Sequence, residues 1–399
     1  MVAARLLDLT RLVSRLGRGP MTGIDRVEQA YLTHLLAQDA PLYGLVRTGA
    51  GFLLLDPAGC AGFAKLCATP SNLPSADLLS RLMHRHDLTR ARAETAARQL
   101  ALARAVRPGL PRLLRHVPRG ASYMNVGHAN LAAKTLSCLS SQGFRVTVIV
   151  HDTIPLDHPE FARPGTVAPF RKKLAAVSAH ASQILHLSHA TQAQTEAQLA
   201  RLGRVPPGHV APLGVETARP DPAQLPPGLN LTAPYFVTLG TIEPRKNHAL
   251  LLDVWERLPH PAPQLYIVGN RGWADPALLT RLDALPADGP IKLLHGLPDA
   301  AVMALVQGAR ALLAPSRAEG FGLPPLEAAS LGTAVIAADL AVTRELLGNK
   351  AVYLPALDLY PWVETIARQT IQPQIFGQQT DWTPPTWAAH FKTVLSLGC

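Results

Sequence analysis

The chain has 399 residues, 48% hydrophobic and only 17% charged, which excludes a disordered polymer and leaves room for two cores of ordinary domain size. A formal charge of +10 and a pI near 9.8 imply anionic partners but choose no fold. Four cysteines, Cys60, Cys67, Cys138 and Cys399, form no CxxC pair and no zinc-like spacing, so neither a disulfide framework nor a metal site is expected and a reducing cytoplasm fits best.

In chain order, ARLLDLTRL reads as a short strand, followed by a glycine turn, GRGPMTGID (17 to 25), and an amphipathic helix from about Arg26 to Gln38. Arg5, Asp8, Arg11 and Arg15 interrupt any leader-like apolar stretch, so no signal peptide is expected, and no run is long enough to span a bilayer. Gly17, Gly19 and Gly23 give GxGxxxG, one residue longer than the dinucleotide fingerprint, with Asp39 near the place of an acidic ribose ligand; a plain turn is the competing reading. Residues 41 to 56 predict a β-hairpin turning at Gly49-Ala50-Gly51. From Arg81 to Arg119, ten arginines stand against two acids, Asp87 and Glu94, on a largely helical pattern. A solvated helix face, anionic lipid headgroups or an acidic acceptor would each account for them.

Strands and helices then alternate, as in a parallel sheet. FRVTVIVHD (144 to 152) is apolar on both faces until it delivers His151 and Asp152 at its carboxyl end, where doubly wound sheets do their chemistry. Residues 215 to 233, rich in proline, read as an extended linker. Beyond it PYFVTLG runs into TIEPRKNH and an apolar helix; Asn247 reads as its N-cap, and Arg245 and Lys246 ahead of the helix amides make an anion site. QLYIVG, IKLLHG, RALLAPS, TAVIAAD and AVYLPAL supply further strands, and Arg271 or Trp273 in the NRGW turn is a candidate to touch a base or acceptor, against a purely structural tryptophan. A short amphipathic helix, about Thr383 to Leu397, follows Pro384-Pro385.

The chain is organised around PSRAEGFGLPPLE (315 to 327), a strand-to-helix turn. Gly320 and Gly322 can bring bare amides against a ligand, and Pro324-Pro325 pre-sets a helix start. This places Glu319 on the loop and Glu327 in the first helical turn.

EGFGLPPLE resembles the Glu-x7-Glu signature of retaining glycosyltransferases of family 4, VHDTIPLDHPE and GTIEPRKN resemble further elements of that family, and TGIDRV resembles the segment that opens the first helix in its capsule- and lipopolysaccharide-type subset, all in the family's order. The resemblance implies an α/β fold of two Rossmann-like doubly wound domains facing across a cleft (GT-B). Residues 1–214 would form the acceptor-side domain, 215–233 the linker, 234–382 the nucleotide-sugar-binding domain, and 383–399 a helix crossing back onto the first. It implies donor diphosphate on Arg245, Lys246 and Gly23, the sugar end on Glu319, Gly320, Phe321 and Gly322, and the ribose on Glu327. His151 and Glu319 are the implied catalytic residues. Same-face attack is implied, with the departing phosphate taking the acceptor's proton; a double displacement on Glu319 is the other route to retention.

No Asp-x-Asp occurs in the sequence, so Arg245 and Lys246 are expected to do a metal's work on the diphosphate. The expected partners are a nucleotide-sugar donor and a glycan or lipid-linked acceptor in surface polysaccharide biosynthesis, at the cytoplasmic membrane face, with no cofactor and no nucleic acid. An epimerase or hydrolase of the same architecture and a basic nucleic-acid-binding protein are the competing classes.

Overall fold

The computed structural model describes residues 3–19, 21–69, 72–372 and 382–399; Pro20 of the glycine turn, and 373–381 near the end of the expected second domain, lie outside the described residues. The first sheet is built from β1 (Arg5–Asp8), β2 (Leu42–Arg47), β3 (Phe52–Leu55), β4 (Ala103–Ala105), β5 (Ser122–Asn125), β6 (Arg145–Ile149), β7 (Gln183–His186) and β8 (Gly208–Val210). Their order is β4-β3-β2-β1-β5-β6-β7-β8, with β3 antiparallel to both β2 and β4 and the remaining pairs parallel. The second sheet holds β9 (Tyr235–Leu239), β10 (Gln264–Val268), β11 (Ile291–Leu294), β12 (Ala311–Ala314), β13 (Val335–Ala338) and β14 (Ala351–Leu354). It is all parallel, in the order β11-β10-β9-β12-β13-β14.

Strands such as β1, β7 and β13 are buried along their whole length because helices cover both faces, which is why they read as apolar runs without alternation. In each sheet the order reverses once, between β1 and β5 and between β9 and β12. At such a reversal neighbouring loops diverge in opposite directions and leave a crevice beyond the strand ends. Both expected doubly wound domains are therefore present. Among the described residues no helix is long and apolar enough to cross a membrane.

The helix Trp387–Ser396 packs on the first domain: His390 Nε2 lies 2.7 Å from Tyr31 Oη, and the Phe391 ring stacks on His34 at 3.7 Å. The outgoing and returning chains touch where they pass, the Val215 amide donating to the Pro385 carbonyl at 2.9 Å. The linker is itself docked, with the Asp221 amide donating to Ala300 O at 3.1 Å.

As its pattern predicts, 81–119 is largely helical, in the helices Leu78–Met83 and Leu88–Gln99 and a continuous run of short 3-10 and α turns from Arg107 to His116, whose prolines Pro108 and Pro111 stand at helix starts; the edge strand β4 interrupts it. Three of the ten arginines are internal ties: Arg90 to the buried Glu94, Arg98 to Asp77, and Arg92 to the Pro74 carbonyl. The other seven are exposed. The basic face is thus broken by side chains turned to internal partners, of which Arg98 ties the second helix to Asp77 and Ser80 at the start of the first.

A carboxylate of the second domain caps a helix of the first. Glu345 accepts from the His189 and Ala190 amides at 2.7 and 2.9 Å, satisfying donors at the N-terminus of His189–Ala200. Glu345→Ala is expected to lower the melting temperature by about 2 °C; an unchanged transition in differential scanning calorimetry would show that water replaces the cap at no cost.

Candidate active site

Two loops of the second domain, after β9 and after β12, lie side by side at the order reversal. Asn247 joins them, though not as the N-cap expected. It takes the left-handed conformation, φ 57°, and its side-chain amide donates to Pro315 O (3.2 Å) and Ala356 O (2.9 Å) instead of capping His248–Trp255. The Arg317 amide also donates to Arg245 O at 2.7 Å. The basic loop and the organising motif are therefore held together by one backbone bond and by the Asn247 side chain.

This brings the expected residues of the two loops into contact. Glu319 Oε2 lies 2.7 Å from Arg245 Nη1, and Oε1 lies 2.5 Å from Lys246 Nζ, while Arg245 Nε also meets Glu243 at 2.6 Å. Burial raises the Glu319 pKa, but Arg245, Lys246 and Ser316 overcome it and hold the carboxylate at about 2. Glu319 is thus ionised and a weak proton acceptor. Both cations already have an acidic partner, and an incoming diphosphate must share them with Glu319.

Glu327 is not in the first helical turn. Gly322 adopts φ 82° just before the helix Leu323–Ser330, so Glu327 is its fifth residue and lies past the free amides. Its partner is Arg26 of the first domain, whose Nη1 lies 2.7 Å from Oε1; the same guanidinium reaches Asp299 at 2.9 Å. Burial pushes the Glu327 pKa up against the pull of Arg26. Arg26 was missed at the level of sequence although it lies within TGIDRV, because its partners are about 300 residues away in the chain. Gly23 opens the helix Gly23–Leu36, and a Cβ there would sit 3.4 Å from Leu323 Cδ1. Gly23, Arg26, Asp299 and Glu327 share a cleft of about 580 Å³ between the domains. Asp39 lies beyond the opposite end of that helix, away from Gly23.

Phe321 is only 6% exposed and joins the core, so its backbone alone can face a donor. Gly320 marks where the domains meet. A Cβ added there would lie 2.6 Å from His151 O and 3.0 Å from Asp152 Cβ. Contact with a backbone carbonyl at that range cannot be relieved by a rotamer change. Gly320→Ala is therefore expected to wedge the cleft open and lower kcat/KM by at least about tenfold; parental kcat/KM in that variant would show that closure at this point is dispensable.

His151 stands just beyond β6, 6% exposed, with Nε2 2.7 Å from the Val126 carbonyl. A carbonyl only accepts, so Nε2 carries the hydrogen and Nδ1 keeps its lone pair. Burial, with Arg11 assisting, lowers its pKa to about 4, and the ring is neutral at pH 7. His128 packs edge-on against it, ring centres 4.9 Å apart. Asp152, half-buried and facing Arg245, has its pKa raised by desolvation. Trp273 is a tie between domains, its Nε1 donating to Phe161 O at 3.0 Å, and Arg271 is paired with Asp283.

Residues 224–354, which contain both loops, match the family Glycosyl transferases group 1. The match spans the end of the linker and most of the second domain. The chain is 31% identical over 234 residues to the serotype-specific mannosyltransferase WbdA of Escherichia coli, an alignment covering 55% of this chain and 29% of WbdA. It is 36% identical over 118 residues to the O-antigen chain mannosyltransferase B of Escherichia coli, covering 29% and 31%. The chain thus spans less than a third of the length of either relative. Among solved structures, Anabaena HepE in complex with UDP-glucose superposes with a TM-score of 0.54 at 14% identity, over 73% of this chain and 81% of that one. The architecture around the group 1 domain is GT-B. Arg245, Lys246, Glu319 and Glu327 all fall inside the matched group 1 segment, whereas Gly23, Arg26 and His151 come from the other domain.

Proposed function

We propose that this chain is a retaining, metal-independent glycosyltransferase that moves a hexose from a nucleoside diphosphate sugar to a glycan or lipid-linked acceptor in surface polysaccharide synthesis, at the cytoplasmic face of the membrane. The observation that carries this reading is the Glu319–Arg245–Lys246 cluster at the order reversal of the second sheet, butted through Gly320 against His151 of the first. Similarity to WbdA and to the O-antigen chain mannosyltransferase B supports mannose as the hexose.

The donor's diphosphate would lie against Arg245, Lys246 and the amides opening His248–Trp255, which meet the charge that builds on the leaving oxygen. Glu327 would take the ribose hydroxyls once Arg26 releases it. The acceptor oxygen attacks the anomeric carbon on the face from which the phosphate departs. The carbon–oxygen bond to phosphate breaks, its electron pair stays on phosphate, and that oxygen takes the acceptor's proton. The Nδ1 lone pair of a neutral His151 suits the positive character of the anomeric carbon better than an imidazolium would.

The test is a panel of nucleoside diphosphate hexoses read first by thermal shift and then by release of nucleoside diphosphate with and without a mannosylated acceptor. Acceptor-dependent release supports transfer; donor consumed equally without acceptor would instead identify a hydrolase or epimerase. Activity is expected to survive EDTA, and complete loss restored by manganese or magnesium would overturn the role given to Arg245 and Lys246.

A further inference from the structure

At the order reversal of the first sheet, the ends of β1, β2 and β5 open onto a cavity of about 680 Å³. Six cationic side chains line it, Arg11, Arg15, Arg18, Arg47, Arg90 and Lys173, and Asp87 is the one lining carboxylate among the described residues. Arg11 and Arg15 pair with Asp25 at 2.9 and 3.1 Å, Arg18 pairs with Asp87, and Arg90 pairs with Glu94 at 2.9 Å. Three carboxylates therefore answer six cations, and three positive charges remain.

The surplus is concentrated on Arg47 and Lys173. Lys173 Nζ donates to the His128 carbonyl at 3.0 Å, and Arg47 has no side-chain hydrogen bond or ion pair among the described residues. Burial lowers the Lys173 pKa, and the charges of Arg47 and Arg11 lower it further, the opposite of what a structural ion pair does. Asp8, behind the pocket, is bonded to Tyr123 Oη (2.9 Å) and Asn130 Nδ2 (2.8 Å), and burial drives Glu28 well above the carboxylate range. Like charges crowded around a cavity destabilise the empty protein and are relieved by a dianion. The cavity also touches His128, whose ring packs on His151.

We propose that this pocket is a second anion site, which holds a phosphate group carried by the acceptor. The assignment to the acceptor rests on the transferase reading; the anion site itself does not. A phosphate held there would place the acceptor one histidine ring away from His151. The helix Leu78–Met83, which runs directly into the pocket residue His84, leaves Leu78 76% and Leu82 52% exposed, an apolar surface on the same segment that would suit a phosphate with an apolar tail.

The test is calorimetric titration with inorganic phosphate of Arg245→Gln/Lys246→Ala protein, in which both donor-side cations are removed. It should retain one phosphate site. Adding Arg47→Gln and Lys173→Gln should weaken that site at least about tenfold. Arg47→Gln alone, at an exposed position without a side-chain partner, should act in the same direction by a smaller factor, and Lys173→Arg should retain binding. Co-sedimentation with phosphatidylcholine vesicles containing phosphatidic acid identifies the source: capture lost with the two glutamines supports a lipid phosphate, while phosphate binding without vesicle capture supports a soluble phosphorylated acceptor. Equal phosphate affinity with and without the two glutamines overturns the proposal. Because the titration needs no donor and no turnover, failure of the transferase reading would leave its result intact, and failure of the pocket would leave transfer intact.

Discussion

His151→Ala is expected to lower kcat by about 10²- to 10³-fold with near-parental donor affinity, whereas Lys246→Ala should weaken donor binding and also slow turnover. The two side chains meet the reaction at different moments. Lys246 Nζ, now 2.5 Å from Glu319, is positioned to meet the diphosphate before and during bond breaking. His151 offers a neutral ring fixed by Val126, and positive character at the anomeric carbon exists only during reaction, so its contribution belongs to the transition state. Isothermal titration with donor beside single-turnover kinetics separates the two. A His151→Ala protein that turns over at the parental rate, or that loses donor binding as severely as Lys246→Ala, would make this histidine a packing residue.

Glu319→Gln should be the most destabilising change in the site, by about 3 kcal/mol at pH 7. It strips one acid from Arg245 and leaves Lys246, only 12% exposed, without the carboxylate that holds it. Removing one partner of a buried pair costs about 3 to 5 kcal/mol because the other charge stays buried. The pH dependence gives an independent check. The folded-state pKa of Glu319, about 2, lies below the ordinary 4.5, so its stabilisation is complete above pH 4.5 and is lost as pH falls towards 2. Urea titrations at pH 7 and pH 3 should show the gap between parent and variant closing on acidification. A gap of constant size would mean that the loss is one of packing.

The architecture was legible because buried parallel strands are apolar on both faces, as in FRVTVIVHD and TAVIAAD, and because proline marks the linker. The edge strand β4, three residues reading ARA, was not, since one short pairing at a sheet margin leaves no pattern. Within the site, the motif and the basic pair could be read as neighbours in function, but not that Glu319 bonds both Arg245 and Lys246. Pairing across about 70 residues depends on which strands are adjacent. Arg26–Glu327 was further out of reach, since it needs the relative placement of two domains. Phe321 read as a binding residue because it stands between two glycines of the motif; its ring instead faces inward, and sequence does not say which side of a loop a side chain takes. The cationic pocket was hidden for a related reason: Arg11, Arg47 and Lys173 lie on three separate segments, each ordinary alone.

The side-by-side passage of the outgoing and returning chains at Val215 and Pro385 has a mechanical consequence. A body tethered by one strand can tumble, but one tethered twice at a single place can only swing about that place. Gly214 sits so close beneath Trp387 that a Cβ would fall 2.3 Å from the ring, which leaves no slack at the pivot. Any separation of the domains must then turn about that place, and it can occur only if the ties away from the pivot, Arg26 to Glu327, Trp273 to Phe161 and Glu345 to the His189 amide, are given up.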